Sequence, residues 1–376
     1  MDRFALLQEI AGRYGCAGFG VTDATGFSGV AATLQERRSS GLAGELGFTY
    51  KDPEVAADVG RSFSWAQRLV VVSWPYVPAA GNPGPAQVGT GRVARFASSD
   101  HYLGLRNALD RIAAELRQRG YRAEILADDD RLVDRAAAVR AGIGWWGKST
   151  MVLDPRYGPW LLLGTVVTDA DLPTTAPMVR DCGTCDACIP ACPTGAIVAP
   201  GLLDASRCIA HWTQTGGIIP VEFRKAMADR VYGCDDCLDA CPPGSKRVAE
   251  AATGRGRLNL IELLATDDTG LRERYEHFYL PRRNPRFLRR NALVALGNSV
   301  VVGAGKPAGR DQVIAILAGY LGLPDELYRI HAGWALGRIG GPEATSLLDY
   351  QLQRERVQVV ADELAAAHIE AVAATA

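Results

Sequence analysis

The 376-residue chain has 41 lysine and arginine residues against 42 aspartate and glutamate residues, a formal net charge of −1. This balance excludes a protein that binds polyanions through overall charge alone, and no apolar run is long enough to span a membrane. The length predicts two or three domains, and a hydrophobic content of 48% supplies enough apolar material for their cores.

The first part of the chain alternates helix-like and strand-like segments. Helical spacing of apolar residues predicts two helices, at residues 4–14 and 102–119. Apolar runs predict two buried strands, at residues 69–74 and 160–167. Gly120 predicts the end of the second helix. Residues 75–91 are rich in proline and glycine and predict a long loop, and residues 169–177 predict a linker. We therefore expect an α/β domain over residues 1–175.

One segment fits the spacing of a phosphate-binding loop: Gly142-Ile-Gly-Trp-Trp-Gly147-Lys148-Ser149. A true phosphate loop runs from a strand into a helix, whose N-terminus receives the phosphates. Here a helical pattern over residues 134–141 precedes the motif and a strand-like pattern over residues 151–153 follows it. The motif therefore predicts a helix end or a close backbone approach rather than a nucleotide site.

Eight of the nine cysteines form two groups. The first group is Cys182-x2-Cys185-x2-Cys188-x3-Cys192-Pro193, the second is Cys234-x2-Cys237-x3-Cys241-Pro242, and Cys208 lies between them. Two-residue spacers wrap three thiolates around a compact 4Fe–4S cluster, and the cysteine before the proline ligates the other cluster in two-cluster ferredoxins. This rule predicts two clusters, one on Cys182, Cys185, Cys188 and Cys241, the other on Cys192, Cys208, Cys234 and Cys237. The protein is then expected to move electrons.

Two other interpretations of these cysteines are weaker. Zinc also takes four thiolates, but the three-residue spacer before Cys-Pro, found twice, is typical of ferredoxins. Disulfides need an oxidising compartment, and the first residues do not resemble a signal peptide, so we expect a cytoplasmic protein. Cys16, the ninth cysteine, lies in a small apolar stretch and is expected to be a buried thiol.

The cysteine region predicts a ferredoxin-like domain over residues 176–250, and residues 251–376 predict a helical domain that is helical throughout from Leu258 onward. This last part contains a repeat of the pattern R-x-x-A-x-x-A-L-G at residues 289–297 and 329–337, and a period of forty residues is typical of HEAT-type helical pairs. Arginines at the helix starts can face outward, as a solvated face or as a phosphate-contacting surface. Because these arginines cluster with others nearby in the sequence, we favour the phosphate-contacting surface. The arginines concerned are Arg282, Arg283, Arg286, Arg289, Arg290 and Arg329.

Five segments, in this order, resemble the epoxyqueuosine reductase family over nearly the whole chain. They are Gly91-Arg-Val-Ala-Arg-Phe-Ala, Asp134-Arg with Arg140-Ala-Gly-Ile-Gly-Trp-Trp-Gly-Lys, Cys182-Gly-Thr-Cys through Cys192-Pro-Thr-Gly-Ala-Ile, Tyr232-Gly-Cys-Asp-Asp-Cys, and Arg289-Arg-Asn-Ala-Leu-Val-Ala-Leu-Gly-Asn. The resemblance implies an α+β multidomain fold: a nitroreductase-like cobalamin-binding domain, a two-cluster ferredoxin-like module and a HEAT-like tail. It also implies the reduction of epoxyqueuosine to queuosine at the wobble position of tRNAs with GUN anticodons. The expected electron donor is a ferredoxin or flavodoxin, and the expected state is a monomer without membrane contact.

The resemblance also implies site residues. Asp134 occupies the place of the family's proton donor to the leaving epoxide oxygen, although by itself this position also suits a helix N-cap. Asp235 and Asp236 lie between two ligands of the second cluster, and Ala210 lies two residues after Cys208, so all three are expected to contact cobalamin. Ser98 follows the first matching segment and is also expected at the cofactor.

The chain departs from the family pattern at three places, which lie near the expected cofactor and substrate. They are Asp100-His-Tyr, the segment after Cys208 (Ile-Ala-His-Trp-Thr-Gln-Thr) and Pro242-Pro-Gly. Two alternatives therefore stay open: a corrinoid reductase of another substrate, similar to reductive dehalogenases, and a partner protein that only transfers electrons.

Overall fold

The computed structural model describes residues 2–45, 47–77, 85–251, 256–300 and 309–374. The chain forms two compact units, which interleave along the sequence. The first consists of residues 1–81, 98–208 and 235–252, and the second of residues 82–97, 209–234 and 253–376. The three consecutive domains expected from the sequence stay a prediction.

The secondary structure is mixed. The helices are α1 Arg3–Arg13, α2 Val30–Ser39, α3 Pro53–Ala57, α4 His101–Gln118, α5 Asp134–Arg140, α6 Cys188–Ala191, α7 Ile209–Gln214, α8 Val221–Arg224, α9 Asp236–Asp239, α10 Ser245–Glu250, α11 Leu260–Ala265, α12 Asp268–Arg274, α13 Arg286–Val300, α14 Arg310–Leu321, α15 Glu326–Ile339, α16 Pro342–Leu352 and α17 Gln358–Ala373. The strands are β1 Gly18–Asp23, β2 Arg68–Pro75, β3 Thr90–Val93, β4 Ala123–Leu126, β5 Trp145–Trp146, β6 Val152–Leu153, β7 Leu161–Thr168, β8 Ile197–Ala199, β9 Leu202–Leu203, β10 Arg230–Tyr232 and β11 Arg257–Asn259. Among the described residues, no helix is both long and apolar enough to cross a bilayer.

The first unit is built on an antiparallel sheet with the strand order β1-β2-β7-β4. Leu69 of β2 is paired with Val167 of β7, and both lie in one buried cluster with the alanines of α5. Gly164 of β7 faces the other way, because a Cβ there would stand 2.6 Å from Leu109 of α4. Since side chains alternate across a strand, α4 and α5 cover opposite faces of the sheet. The sheet therefore fixes the start of α5, where Asp134 lies.

The second unit combines a small sheet, in the order β10-β3-β11, with helices. The carboxylate of Asp229 accepts hydrogen bonds from Arg92 at 3.0 Å and from Arg257 at 2.7 Å, and so joins the segments around β3, β10 and β11. The guanidinium of Arg224, fully buried, donates to both oxygens of Glu363 at 2.7 and 2.8 Å. Buried charges of this kind are stable only when paired, so these contacts define the packing of the unit.

The internal repeat corresponds to α13 and α15, which pack against each other. At Gly297 an added Cβ would stand 2.6 Å from the Cβ of Ala335, and at the equivalent Gly337 it would stand 2.5 Å from the carbonyl oxygen of Ala367. The repeated glycine therefore allows each helix of the repeat to approach the next one closely.

Arg329→Met is expected to lower the free energy of unfolding by about 3–5 kcal/mol, because it leaves the Glu355 carboxylate buried without its partner. The Arg329 guanidinium donates to both Glu355 oxygens at 2.8 and 3.1 Å, and the two side chains are only 9% and 3% exposed. The measurement is urea unfolding followed by circular dichroism. Arg354→Met, at an exposed position, is the control, and Arg329→Met/Glu355→Met should regain part of the loss.

The same pair predicts a pH dependence. Burial acts to raise the pKa of Glu355, but hydrogen bonds from Arg329, the Val357 N–H and Gln351 lower it from 4.5 to about 2. A carboxyl with a lowered pKa stabilises the fold above its unfolded pKa, and this contribution is lost as the pH falls from about 4.5 through about 2. The stability difference between wild type and Arg329→Met should shrink over that range; a constant difference would contradict the assignment.

The structure confirms the predicted helices and strands to within a residue or two and differs at two places. Residues 258–259 belong to β11, so the helices begin at Leu260, and the predicted loop over residues 75–91 ends at β3, which starts at Thr90. Residues 78–84 of that loop lie outside the described residues.

Candidate active site and metal centre

The four cysteines predicted for the first cluster converge in the first unit. Cys188 begins α6, which packs against α9, and Cys241 follows α9. Burial, and after it the charges of Cys182, Cys188 and Cys185, raise the pKa of the Cys241 thiol to about 12. Thiolates brought this close repel one another unless cations lie between them, as the irons of a cluster would. The arrangement therefore fits a 4Fe–4S cluster on these four residues.

Cys192 is one of the four cysteines predicted for the second cluster. Burial acts to raise the pKa of Cys192, but the N–H groups of Thr194 and Ala196 lower it, the latter donating to Sγ at 3.1 Å. A lowered pKa favours the thiolate that a metal needs. Cys208 and Cys237 belong to the first unit and Cys234 to the second, all partly buried. Their grouping in one cluster stays a prediction.

Within the described ranges, no three His, Cys, Asp or Glu side chains form a group that could hold a single metal ion. The cluster assignment therefore depends on the cysteine spacing and on the mutual effect of the four sulfurs of the first set.

Asp134 is the first residue of α5, and the N-cap is Val133. The helix has no side-chain cap, so Asp134 does not have the capping role that its position would also allow. Its Oδ1 is buried and has no hydrogen-bond partner among the described residues. Burial raises the pKa of Asp134 well above its usual value, the charge of Asp128 raises it further, and Arg135 opposes the rise. The burial and the Asp128 charge thus favour the protonated form of the carboxyl, which is the form a general acid requires.

Sequence reasoning did not find two neighbours of Asp134. Asp128 follows β4 in a run of three aspartates, and Tyr102 is the second residue of α4. Burial raises the pKa of the Tyr102 phenol, and so do the charges of Asp128 and Asp134, which shows that all three groups lie within electrostatic range. The acidic run at the end of a strand was the signal that could have identified Asp128.

The other predicted cofactor residues are distributed over both units. Ser98 lies shortly before α4, and its Oγ is 3.2 Å from Nε2 of the buried His101. Asp235 and Asp236 lie at the start of α9, in the first unit, and both are partly buried. Ala210 is in α7 of the second unit, and its carbonyl accepts hydrogen bonds within that helix. Their contact with a cofactor stays a prediction.

The expectation that the six arginines face outward is wrong for three of them. Arg289 pairs with Asp268, Arg329 pairs with Glu355, and Arg290 is fully buried and donates to main-chain oxygens at 2.6 and 2.7 Å. These three arginines therefore have a structural role, because each guanidinium is bonded to a partner inside the second unit.

Of the other three arginines, Arg282 and Arg283 remain available as surface groups, whereas Arg286 is ion-paired. Arg282 and Arg283 are exposed in a short 3-10 turn, Pro281–Arg283, and Arg283 pairs loosely with Glu276 at 3.6 Å. Arg286 is partly exposed and forms an ion pair with Asp325 at 2.6 Å.

The phosphate-loop motif has a structural role, as its context predicted. β5 and β6 form a hairpin from this segment, and a Cβ on Gly144 would stand 2.2 Å from the carbonyl oxygen of Leu153. At Gly142 the φ is +72° and a Cβ would stand 2.3 Å from the carbonyl oxygen of Ala176. These glycines permit close backbone packing, and the segment does not lead into a helix.

Residues 181–244 match the family described as a 4Fe-4S double cluster binding domain. This match identifies the chain as an iron–sulfur protein, and the converging thiols of the first set agree with it. An epoxyqueuosine reductase of Bacillus anthracis is 31% identical over 332 residues, which is 85% of each chain.

Solved structures agree with this relationship. A crystal structure of epoxyqueuosine reductase with an epoxyqueuosine-modified tRNA-Tyr stem loop is 29% identical with a TM-score of 0.86, over 98% of this chain and 100% of that one. An epoxyqueuosine reductase from Bacillus subtilis, whose catalytic aspartate loop is swung out of the active site, is 27% identical with a TM-score of 0.83 over the same shares. The chain belongs to the epoxyqueuosine reductase family, as its sequence motifs predicted.

Proposed function

We propose that the protein reduces epoxyqueuosine to queuosine in tRNA, taking up two electrons and two protons and releasing the epoxide oxygen as water. Family membership supports the reaction, and the relative solved with a modified stem loop supports a tRNA substrate. In this chain the observation that carries the proposal is the Asp134 carboxyl, which has a buried, unpartnered Oδ1 among the described residues and a pKa raised well above its usual value.

The proposed cofactors are two 4Fe–4S clusters and cobalamin. Each cluster passes one electron at a time, and a bound cobalamin would supply a cobalt centre that holds both electrons needed for the reduction. The residues proposed to hold it are Ser98, Asp134, Ala210, Asp235 and Asp236. The orphaned oxygen of Asp134 supports this fit, because a buried polar atom without a partner is rare unless a bound group completes it.

Asp134 is proposed to donate the proton to the leaving oxygen. Its burial and the neighbouring Asp128 charge disfavour the carboxylate, so the proton stays on Asp134 until the epoxide oxygen develops negative charge. The Tyr102 phenol, within electrostatic range of Asp134, has a raised pKa as well, which favours its protonated form. Together, Asp134 and Tyr102 form a site that donates protons.

The test is an anaerobic assay with an anticodon stem loop that contains epoxyqueuosine. A product lighter by one oxygen, seen by mass spectrometry, would establish the reaction. Protein that holds cobalamin and about eight irons but gives no product would favour a corrinoid reductase of another substrate, such as one similar to reductive dehalogenases. Protein that holds iron without cobalamin would favour an electron-transfer partner.

The finer architecture and the cellular setting are also part of the proposal. The sheet covered on both faces by α4 and α5 supports a nitroreductase-like domain, and the packed repeat of α13 and α15 supports a HEAT-like tail. The match over residues 181–244 supports a ferredoxin-like module. We further propose a cytoplasmic monomer that receives electrons from a ferredoxin or flavodoxin and acts on tRNAs with GUN anticodons.

Arg282→Gln/Arg283→Gln is expected to weaken binding of the stem loop and to make it less dependent on salt. Both side chains are exposed, so they can reach phosphates without breaking a buried ion pair. Each phosphate contact releases counterions and contributes about 0.7–0.9 to the slope of log K against log salt concentration, so two lost contacts should reduce the slope by about 1.4–1.8. The measurement is a binding titration at several salt concentrations.

The control is Arg354→Gln/Arg356→Gln, which removes the same charge from two other exposed positions of the second unit. It should leave the slope unchanged. Equal losses in both double variants would show a general charge effect and would remove Arg282 and Arg283 from the interface.

A further inference from the structure

Trp145, in the hairpin strand β5, lies against two of the first-cluster cysteines. Its side chain is only 4% exposed and packs in one buried cluster with Cys241 and Cys182. The guanidinium of Arg180 lies 4.9 Å from the centre of its ring. The indole therefore forms part of the wall around the site where the four sulfurs converge.

The indole Nε1 of Trp145 is buried and has no hydrogen-bond acceptor among the described residues. Indole nitrogen can only donate, and buried tryptophans usually find a partner for it. A buried donor left without an acceptor calls for an explanation, and one explanation is a bound group that supplies the acceptor. Beside Cys241 and Cys182, the available acceptors would be the thiolate and sulfide sulfurs of the first cluster.

Lys148 approaches the same site from the end of the hairpin. Its Nζ donates to the carbonyl oxygen of Gly183 at 2.9 Å, and Gly183 lies in the loop between Cys182 and Cys185. The lysine thus holds the ligand loop and places a positive charge beside it.

We propose that Trp145 and Lys148 set the reduction potential of the first cluster. Trp145 donates its indole N–H to a sulfur of the cluster, and Lys148 fixes the Cys182–Cys185 loop and adds a positive charge. A reduced cluster carries one more negative charge than an oxidised one, so both interactions stabilise the reduced form and raise the potential. This inference rests on the proposed assignment of the first cluster, and it gives the apparent phosphate-loop motif a role in electron transfer.

The test is a redox titration of the reconstituted full-length protein, followed by electron paramagnetic resonance, with the second cluster as internal reference. Trp145→Phe keeps the ring and removes the donor, so the first cluster should titrate at a more negative potential with iron content unchanged. Trp146→Phe changes the neighbouring tryptophan, 46% exposed, and should titrate as wild type. Lys148→Met should also shift the potential downward, and Lys148→Arg should restore most of it.

An unshifted first cluster in Trp145→Phe that contains its full iron would overturn the role of Trp145, and an unshifted one in Lys148→Met would overturn that of Lys148. If Trp145→Phe fails to assemble, wild-type protein with ¹⁵N-indole tryptophan decides: a ¹⁵N hyperfine coupling to the reduced first cluster, retained in Trp146→Phe, supports the hydrogen bond, and its absence overturns it. Wild-type protein that binds no iron would instead contradict the cluster assignment itself.

Discussion

Asp134→Asn is expected to lower the rate of epoxide reduction by about 10²–10⁴-fold, the usual contribution of a positioned general acid. Asparagine keeps the shape of the side chain but cannot give a proton to the leaving oxygen. Iron content should remain that of the wild type, because the change removes no thiolate. Cobalamin binding should also remain, because asparagine keeps the size and polarity of the side chain and the other residues proposed to hold the cofactor are unchanged. The measurement is a single-turnover assay under anaerobic conditions, with iron and cobalamin determined on the same sample. Substantial activity in this variant would remove Asp134 from the mechanism.

The pH profile provides the control for this assignment. The reaction needs protonated Asp134, so the rate should fall as the pH rises through the raised pKa of that carboxyl. Asp128→Asn removes a negative charge that raises this pKa, and the fall should move to lower pH. Asp130→Asn, two residues away and exposed, changes the same charge and should leave the profile in place. Identical profiles in both variants would contradict the coupling of Asp128 to Asp134.

Cys241→Ala is expected to abolish turnover and to reduce the iron content from about eight to about four per chain. Cys241 lies in sequence beside Cys234 and Cys237, but in the structure its thiol is affected by Cys182, Cys185 and Cys188. The variant should therefore lose the first cluster. Its electron paramagnetic resonance spectrum should then be that of the second cluster alone. Without the first cluster the one-electron steps that feed the reduction are interrupted.

Two further variants make this prediction specific. Cys192→Ala should remove the second cluster instead, so its remaining spectrum should differ from that of Cys241→Ala. Cys16→Ala should keep both clusters and full activity, because burial raises the pKa of Cys16 to about 12 and keeps it a thiol. Identical remaining spectra in Cys192→Ala and Cys241→Ala would contradict the assignment of Cys192 and Cys241 to different clusters.

Much of the local structure could be predicted because it depends on neighbouring residues. The helix over residues 102–119 ends at Gly120, which has a φ of +87°, and the strand over residues 160–167 is β7. The motif at residues 142–149 was separated from a true phosphate loop by the order of the elements around it. The family could be predicted as well, because its motifs follow one another in a specific order.

The fate of the arginines could not be predicted in the same way. Arg289 and Arg329 begin repeated helical segments and looked like an outward-facing surface, yet they pair with Asp268 and Glu355. Those acids lie 21 and 26 residues away in the chain, on segments that only the packing of the second unit brings near. Whether a charge is solvated or buried is decided by such distant partners, and sequence spacing does not report them.

The sequence by itself predicted 4Fe–4S chemistry from cysteine spacers of two and three residues, and it identified the family from motifs that follow one another in a specific order. It also determined the helices and strands, whose periodicity is local. Only the tertiary structure decided which groups act on each other. It placed Cys241 against the first three cysteines and left Val133, not Asp134, as the helix cap. It also buried one carboxyl oxygen of Asp134 and brought the carboxyl within range of the Asp128 charge, and this environment rather than the residue type is what raises its pKa.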